Sequence, residues 1–265
     1  MANQPTTKLL WSEEFADYQG GQLSEDSWSF DIGDGSSAGL VGWGNNELEY
    51  YTKDSVRING NLIITAQKIA EDSGLQCYYG PALWKSGKIH TGGKIGFKYG
   101  RLELRAKMPS GVGTWPALWL LGANLLEGVT WPHCGELDIL ENTGAHPFQV
   151  QGTIHGDGYF GENGLTKIIQ SATPLADDFH RYSINWTPDY IEWFFDDLSY
   201  NKITRTDVEA TGKPWPFNHE FYLIINLAIG GWFAGAVAED LEHAQLQIES
   251  IKYHSIDGIG ELILH

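Results

Sequence analysis

The feature that most constrains the fold is alternation of apolar and polar residues at period two, in short segments separated by turn-forming residues. The segments YGRLELRAKMP (99–109) and AQLQIESIKYHSI (244–256) show it most clearly. Side chains of a strand alternate between faces, so each segment has one buried and one solvated face. Helical periodicity is rare and brief. The pattern predicts an all-β fold, namely an antiparallel jelly-roll sandwich of two sheets. A barrel stays an alternative, and the absence of internal repeats argues against a propeller.

Turn signals divide these segments into expected hairpins. Asn59-Gly60 interrupts VRINGNLIITAQK (56–68), where glycine supplies the positive φ of a tight turn. The residues 187–190 separate two further expected strands within 180–197. The last nine residues, DGIGELILH, follow the final clear strand, and we expect them either to add a terminal strand or to hang loose.

Length and charge limit the class of protein. The chain has 265 residues, 42% of them hydrophobic, which is enough for one large core, so we expect a single domain over 1–265 with its core at about 9–256. The net charge of −17 disfavours nucleic acid and anionic membranes as partners and favours a neutral substrate. No apolar run is long enough for a transmembrane helix.

Two further absences concern export and cysteine chemistry. The N-terminal stretch MANQPTTKLLWSEEF has no long apolar region, so no signal peptide is visible in this chain. Cys77 and Cys134 are too few for a disulfide scaffold or a zinc cluster. They form either one disulfide or two free thiols.

The stretch CGELDILENTG (134–144) carries three carboxylates within an apolar strand pattern. Glu136 and Asp138 share a face, but Glu141 is five residues after Glu136 and should point to the opposite side. A β-bulge inserts one residue and shifts this parity. With a bulge at or near Ile139-Leu140, all three acids project from one face.

Three adjacent carboxylates raise one another's pKa, and a pair with separated pKa values suits glycoside hydrolysis. One carboxylate stays ionised as the nucleophile, while the other stays protonated as the general acid. A middle aspartate can hydrogen-bond a neighbour and help to maintain the difference. Two alternatives stay open at this point, namely a divalent-cation site and a solvated strand face.

The segment GELDILEN (135–142) resembles the bulged active-site motif of glycoside hydrolase family 16, in its laminarinase (endo-β-1,3-glucanase) branch. Other segments resemble the same family in the same order: LLWSEEF (9–15), WGNNELEYYT (43–52), GNLIITA (60–66), SGKI (86–89), KYGRLELRAKMP (98–109), GTWPALWLLG (113–122), GTIHG (152–156) and NLAIGG (226–231). The resemblance therefore covers nearly the whole chain.

The resemblance implies a jelly-roll with an open cleft on its concave face and a retaining double displacement. Glu136 matches the family's nucleophile, Glu141 its acid/base and Asp138 its assisting carboxylate. It also implies a set of sugar-binding residues, with Trp43 and Asn46 as secondary candidates; the main candidates are Trp115, Trp119, Asn45, His155, Trp232 and Lys88.

The sequence departs from the family's pattern at three places. Lys88 stands where arginine is frequent, and planar bidentate hydrogen bonding is lost with it. The segment GGWFAG (230–235) lacks the usual Asn-Trp-Pro-Gly pattern. The resemblance also implies a structural Ca²⁺ held by oxygen ligands. Glu14 and Gly60 match its ligands, whereas Glu249 replaces the usual aspartate.

We therefore expect a secreted, monomeric endo-β-1,3-glucanase that acts on laminarin-type β-1,3-glucan and needs no cofactor for catalysis. Mixed-linkage β-1,3-1,4-glucanase activity is the first alternative. A non-catalytic β-glucan-binding protein is the second, although such proteins typically lose the two glutamates, which are present here. The charge and the segment WGNNELEYYT disfavour galactan substrates.

Overall fold

Strands dominate the computed structural model, which describes residues 6–18 and 21–265. In chain order these strands are β1 (Thr7–Glu14), β2 (Ser29–Phe30), β3 (Glu49–Tyr51), β4 (Val56–Ile58), β5 (Leu62–Lys68), β6 (Gln76–Cys77), β7 (Gly80–Pro81), β8 (Trp84–Ser86), β9 (Lys88–His90), β10 (Ile95–Lys98), β11 (Gly100–Lys107), β12 (Thr114–Gly122), β13 (Glu136–Glu141), β14 (Gln149–His155), β15 (Leu165–Gln170), β16 (His180–Trp186), β17 (Tyr190–Phe195), β18 (Leu198–Thr204), β19 (Phe221–Ile229), β20 (His243–Ile256) and β21 (Glu261–Leu264).

Helices are short and lie in the connections between strands. The α-helices in the described part of the chain are α1 (Arg205–Glu209) and α2 (Gly231–Ala234). Single 3₁₀ turns occupy Phe15–Asp17, Ser36–Ala38, Val41–Gly44, Lys53–Ser55, Glu71–Ser73, Ala123–Glu127 and Gly161–Asn163. None of the helices in residues 6–18 and 21–265 has the length and apolar character needed to cross a membrane.

Two large sheets form the jelly-roll sandwich. The first has the order β18-β17-β16-β11-β20-β5-β8-β3, with β1 paired to β20 and β4 to β5. The second has the order β15-β14-β13-β12-β19-β10-β21, with β9 paired to β19 and β2 to β9. A small hairpin joins β6 and β7. The expected all-β jelly-roll is therefore confirmed, and one pairing departs from the expected antiparallel order, since β3 and β8 run parallel.

The core lies between the two sheets and takes alternate residues from each strand. In β11, Leu102, Leu104 and Ala106 are buried, whereas the charged residues between them are not. This alternation is the one that the sequence pattern predicts. The strand β19 differs because all nine of its residues are buried, so its outer face is covered as well.

The turn predictions are confirmed. Gly60 has a φ of +72° in the loop that joins β4 to β5, and Ile58 pairs with Leu62 across it. Thr187 N–H donates to Tyr190 O in the turn between β16 and β17. The C-terminal segment forms β21, which pairs with β10 over residues 261–264. Part of the N-terminal stretch, residues 1–5, lies outside the described residues.

Candidate active site

A bulge in β13 brings the three acids to one face of the second sheet. Against β14, Asp138 pairs with Thr153 and Glu141 pairs with Gln151, so three steps on β13 match two steps on β14. Ile139 and Leu140 are consecutive, yet both belong to the core. Two adjacent inward side chains restore the parity of Glu141 with Glu136. The predicted bulge at Ile139-Leu140 is confirmed.

A histidine connects the first two acids of the strand. His155 belongs to the neighbouring strand β14 and pairs directly with Glu136 of β13. Its Nε2 lies 3.3 Å from Oδ2 of Asp138 and 3.6 Å from Oε1 of Glu136. Asp138 and His155 are 2% and 9% exposed, so this contact is shielded from water. The His155 imidazole therefore lies within ion-pair distance of both Glu136 and Asp138.

Each glutamate accepts a hydrogen bond from a different tryptophan. The indole Nε1 of Trp131 donates to Oε2 of Glu136 over 2.9 Å, and Nε1 of Trp115 donates to Oε1 of Glu141 over 3.0 Å. Gln151 Nε2 lies 3.5 Å from the other oxygen of Glu141. These donors fix the two carboxyl groups in orientation and stabilise their ionised forms.

Sequence reasoning missed Trp131 and Gln151. Trp131 lies in the loop before β13, only five residues ahead of Glu136, and a polar aromatic so close to the acid motif is the signal that was available. Gln151 faces Glu141 only because the bulge shifts the register of β13 against β14. Its role was readable only once that register was known.

Burial is the main cause of the raised pKa values of the three acids of β13. It raises the pKa of Glu136, Asp138 and Glu141 to about 8 each. The negative charge of Asp138 adds to the rise in the pKa of both glutamates, whereas His155 opposes it. Because ionising one carboxyl makes ionisation of its neighbours harder, protonated and ionised acids coexist near neutral pH.

The two predicted tryptophans of β12 lie on the same outer face as the acids. Trp115 reaches Glu141, as described above, and Trp119 donates from Nε1 to Oδ1 of Asn226 over 2.8 Å. Phe233, which the sequence analysis did not single out, packs on Trp115 with 5.2 Å between ring centroids. The side chain of Trp232 is 77% exposed on the same helix α2.

The predicted loop residue Asn45 is hydrogen-bonded to the backbone of Trp232 and to the side chain of Glu47. Its backbone oxygen accepts from Trp232 N–H over 2.9 Å, and its side-chain Nδ2 donates to Oε1 of Glu47 over 3.0 Å. Glu47 in turn accepts from the hydroxyl of Tyr51, which accepts from Asn226. A chain of hydrogen bonds thus connects Asn45 with Asn226, the partner of Trp119.

Two of the remaining substrate-binding candidates, Lys88 and Trp43, lie near Trp119, and the third, Asn46, contacts Tyr78. Nζ of Lys88 lies 4.1 Å from the ring centroid of Trp43 and 5.6 Å from that of Trp119. It also lies 3.5 Å from Oδ2 of Asp31, an acid that the sequence analysis did not identify. Asn46 accepts a hydrogen bond from the hydroxyl of Tyr78 at 2.9 Å. Lys88 is therefore neutralised and stacked rather than free.

The residues expected to bind Ca²⁺ have other partners. Glu14 forms an ion pair with Lys252 at 2.9 Å, and Glu249 forms one with Arg105. Gly60 lies in the nearby turn before β5. Ca²⁺ binding here would require Glu14 and Glu249 to leave their cationic partners. The Ca²⁺ site stays a prediction.

Both cysteines are buried free thiols, which decides between the two alternatives left by the sequence. Cys134 precedes β13 by two residues, and burial raises the pKa of its thiol to about 11. The neutral thiol packs with Leu121, Tyr222 and Ile224 in a small apolar cluster. Cys134 is therefore a packing residue next to the acid row.

Comparison with known proteins gives a consistent result. The family model for Glycosyl hydrolases family 16 matches residues 43–252. The Beta-glucanase of Rhodothermus marinus is 37% identical over 260 residues, which cover 94% of this chain and 86% of that protein. Glucan endo-1,3-beta-glucosidase A1 of Niallia circulans is 36% identical over 93% of this chain, which spans only 37% of that protein.

Similarity in three dimensions extends over the same region. The catalytic domain of an endo-1,3-beta-glucanase (laminarinase) from Thermotoga petrophila RKU-1 has a TM-score of 0.89 at 38% identity. The match covers 96% of this chain and 99% of that chain. The family model matches most of the length of this chain, and relatives are 36–38% identical to it. The chain therefore belongs to glycosyl hydrolase family 16.

Proposed function

We propose that this chain is a retaining endo-β-1,3-glucanase that hydrolyses internal bonds of laminarin-type glucans by double displacement. The observation that carries the proposal is the bulge of β13, which puts Glu136 and Glu141 on one face with a tryptophan donor on each. Two oriented carboxyl groups are the machinery that this reaction needs.

In the first step, an ionised oxygen of Glu136 attacks the anomeric carbon and the glycosidic bond breaks. Glu141 gives its proton to the departing glycosidic oxygen, and a covalent glycosyl-enzyme forms. In the second step, Glu141 takes a proton from water, the resulting hydroxide attacks the anomeric carbon, and Glu136 leaves as a carboxylate. Two inversions give net retention of the β configuration.

The neighbouring groups suit this division of roles. His155 contacts Glu136 and Asp138 within 3.6 Å, so its N–H or positive charge favours the ionised form on the Glu136 side. Burial and the charge of Asp138 raise the pKa of both glutamates, so the assignment rests on geometry: the His155 imidazole lies 3.6 Å from Glu136, which leaves the proton-holding role to Glu141. Asp138 then acts through its charge and through His155.

Substrate binding rests on the aromatic residues around the acids. Trp115, Trp119 and Trp232 offer apolar faces for the C–H faces of glucose rings, and Asn45 offers a backbone-anchored amide for sugar hydroxyls. Lys88 lies beside Trp119, where its Nζ is 3.5 Å from Oδ2 of Asp31. The names of the two enzymes from Niallia circulans and Thermotoga petrophila support β-1,3-glucan as the polymer.

A metal centre is the second arrangement that the geometry accommodates. Ligand atoms of Glu136, Asp138 and His155 lie within 4.8 Å of one another. An ion there would occupy the nucleophile that the proposed reaction requires, so we expect divalent cations to inhibit the enzyme. Activity that EDTA removes and Zn²⁺ restores would favour the metal alternative instead.

The proposal is tested by incubating the protein with laminarin, lichenan, agarose and carrageenan in parallel, and measuring reducing ends and product sizes. We expect fast release of mixed short oligosaccharides from laminarin and slower release from lichenan. Equal rates on the two glucans would indicate a mixed-linkage enzyme. Binding of laminarin without release of any product would indicate a recognition protein and contradict the proposal.

A further inference from the structure

The bulge that aligns the acids is held from the opposite sheet by one side chain. Trp193 belongs to β17 of the first sheet and is fully buried in the core. Its indole Nε1 donates a hydrogen bond of 2.8 Å to the backbone oxygen of Asp138 in β13 of the second sheet. Because it accepts from the facing sheet, the carbonyl of Asp138 points towards the core at the start of the bulge.

The strand opposite the bulge leaves room for this indole. Gly152 of β14 lies between Gln151 and Thr153, the partners of Glu141 and Asp138, so it faces the extra residue. A Cβ at this position would lie 2.4 Å from Cδ1 and 2.6 Å from Nε1 of Trp193. Both separations are far below van der Waals contact. The absence of a side chain here is therefore what lets the indole reach the bulge.

We infer that Trp193 and Gly152 are positioning residues of the active site, because together they hold the peptide after Asp138 in the orientation that aligns Glu141 with Glu136. The inference rests on the proposed function for its catalytic consequence. Trp193 touches no substrate; it acts through the backbone of the bulge. A side chain that only filled the core would need no donor at this point.

The chain provides a matched control for Trp193. Trp186 lies on the adjacent strand β16, is 1% exposed, and donates from Nε1 to the backbone oxygen of Phe217 over 2.9 Å. Trp193→Phe and Trp186→Phe therefore remove the same indole and the same kind of buried hydrogen bond. Only the first change removes a donor from the bulge.

The test compares kinetics and backbone protection of the two variants. We expect Trp193→Phe to lower kcat on laminarin about ten- to hundredfold, because misaligned groups lose near-attack geometry. We expect KM to stay within about twofold, since the sugar-binding side chains are kept. Trp186→Phe should lower the melting temperature to a similar degree but leave kcat within about twofold. Equal kcat losses in both variants would overturn the inference.

Hydrogen–deuterium exchange keeps the inference testable without any turnover. Amides of residues 138–142 should exchange faster in Trp193→Phe than in the wild-type protein or in Trp186→Phe. Unchanged exchange there would overturn the inference even if the enzyme cleaves laminarin. If the wild-type protein cleaves no glucan, only the proposed function fails, because the exchange result stands by itself.

Gly152→Ala gives an independent second variant. Its added methyl group meets the indole and also lies 2.6 Å from the hydroxyl oxygen of Tyr200, so we expect it to lower kcat at least as much as Trp193→Phe does. Because both changes act on one contact, the double variant should lose much less activity than the product of the two single losses. Independent, multiplicative losses would show that the two residues do not act through the same bulge.

Discussion

Nε1 of Trp115 donates a 3.0 Å hydrogen bond to Oε1 of Glu141, while the ring of the same tryptophan packs on Phe233 with 5.2 Å between ring centroids. In the proposed function, one side chain thus both stacks on a sugar ring and orients the acid. Trp131 makes the equivalent bond to Glu136 and is 41% exposed. The two bonds can be tested separately from stacking.

Trp115→Phe should lower kcat more than it changes KM. Phenylalanine keeps an aromatic face but has no N–H to stabilise the charge that forms on Glu141 as it gives up its proton. A hydrogen bond to a charged group contributes about 1.5–3 kcal/mol, equivalent to roughly ten- to hundredfold in rate. Steady-state kinetics on laminarin check this, with Trp115→Ala as the variant that also loses stacking. A phenylalanine variant with wild-type kcat would show that the bond has no catalytic role.

Glu141→Ala should lose nearly all activity on laminarin, because no group remains to protonate the leaving oxygen. With an aryl β-glucoside whose leaving group needs no proton, the glycosyl-enzyme should still form. External azide should then restore turnover by attacking the intermediate in place of activated water. Isolation of the β-glycosyl azide checks the result, and failure of azide to restore turnover would contradict the assignment of Glu141.

The pH–rate profile should fall on its alkaline side near pH 8. The carboxyl pKa values of this site are raised to about 8 by burial, so the general acid keeps its proton below that pH and loses it above. With the activated aryl glycoside, Glu141→Ala should lose this alkaline limb. An alkaline limb that persists in the variant would assign it to a different group.

Glu49→Gln should stabilise the protein at alkaline pH. Glu49 is fully buried, and burial raises its pKa well above the ordinary value, with the nearby Glu47 adding to the rise. The folded state therefore holds a proton that the unfolded state releases, so Glu49 makes stability fall as pH rises above about 4.5. Glutamine is neutral throughout and removes this loss.

The measurement is the melting temperature of wild-type and Glu49→Gln proteins between pH 5 and pH 9. We expect little difference at pH 5 and an advantage for the variant that grows with pH, at roughly 2–4 °C per kcal/mol. Glutamine can still accept from Ile229 N–H, which donates to Oε2 of Glu49 over 2.6 Å. A variant that loses stability at every pH would show that the carboxyl group is required for packing.

The sequence alone predicted the features that depend on periodicity and on local turn chemistry. Alternation predicted the two sheets, and the odd spacing of Glu136 and Glu141 predicted the bulge, because parity is a local property of one strand. Contacts between distant segments were out of reach. Trp193 and Asp138 lie in different sheets, and Gln151 faces Glu141 only through the shifted register, so neither partner follows from spacing.

Ion pairs between neighbouring strands are a second feature that the sequence did not predict. The resemblance implies a Ca²⁺ site at Glu14, Gly60 and Glu249, but the sequence holds no information on which cations approach the two carboxylates. The sheet brings Lys252 to Glu14 and Arg105 to Glu249. The parallel pairing of β3 with β8 likewise depends on how the chain crosses between sheet positions, which local patterns do not encode.

The most direct test of the central claim is proton NMR of the first products released from laminarin, compared between the wild-type protein and Glu136→Gln. We predict that the wild-type protein first releases oligosaccharides with β-anomeric reducing ends, which then mutarotate, and that Glu136→Gln releases none although it still binds laminarin. Initial release of α-anomers, or near-wild-type turnover by Glu136→Gln, would contradict double displacement through Glu136.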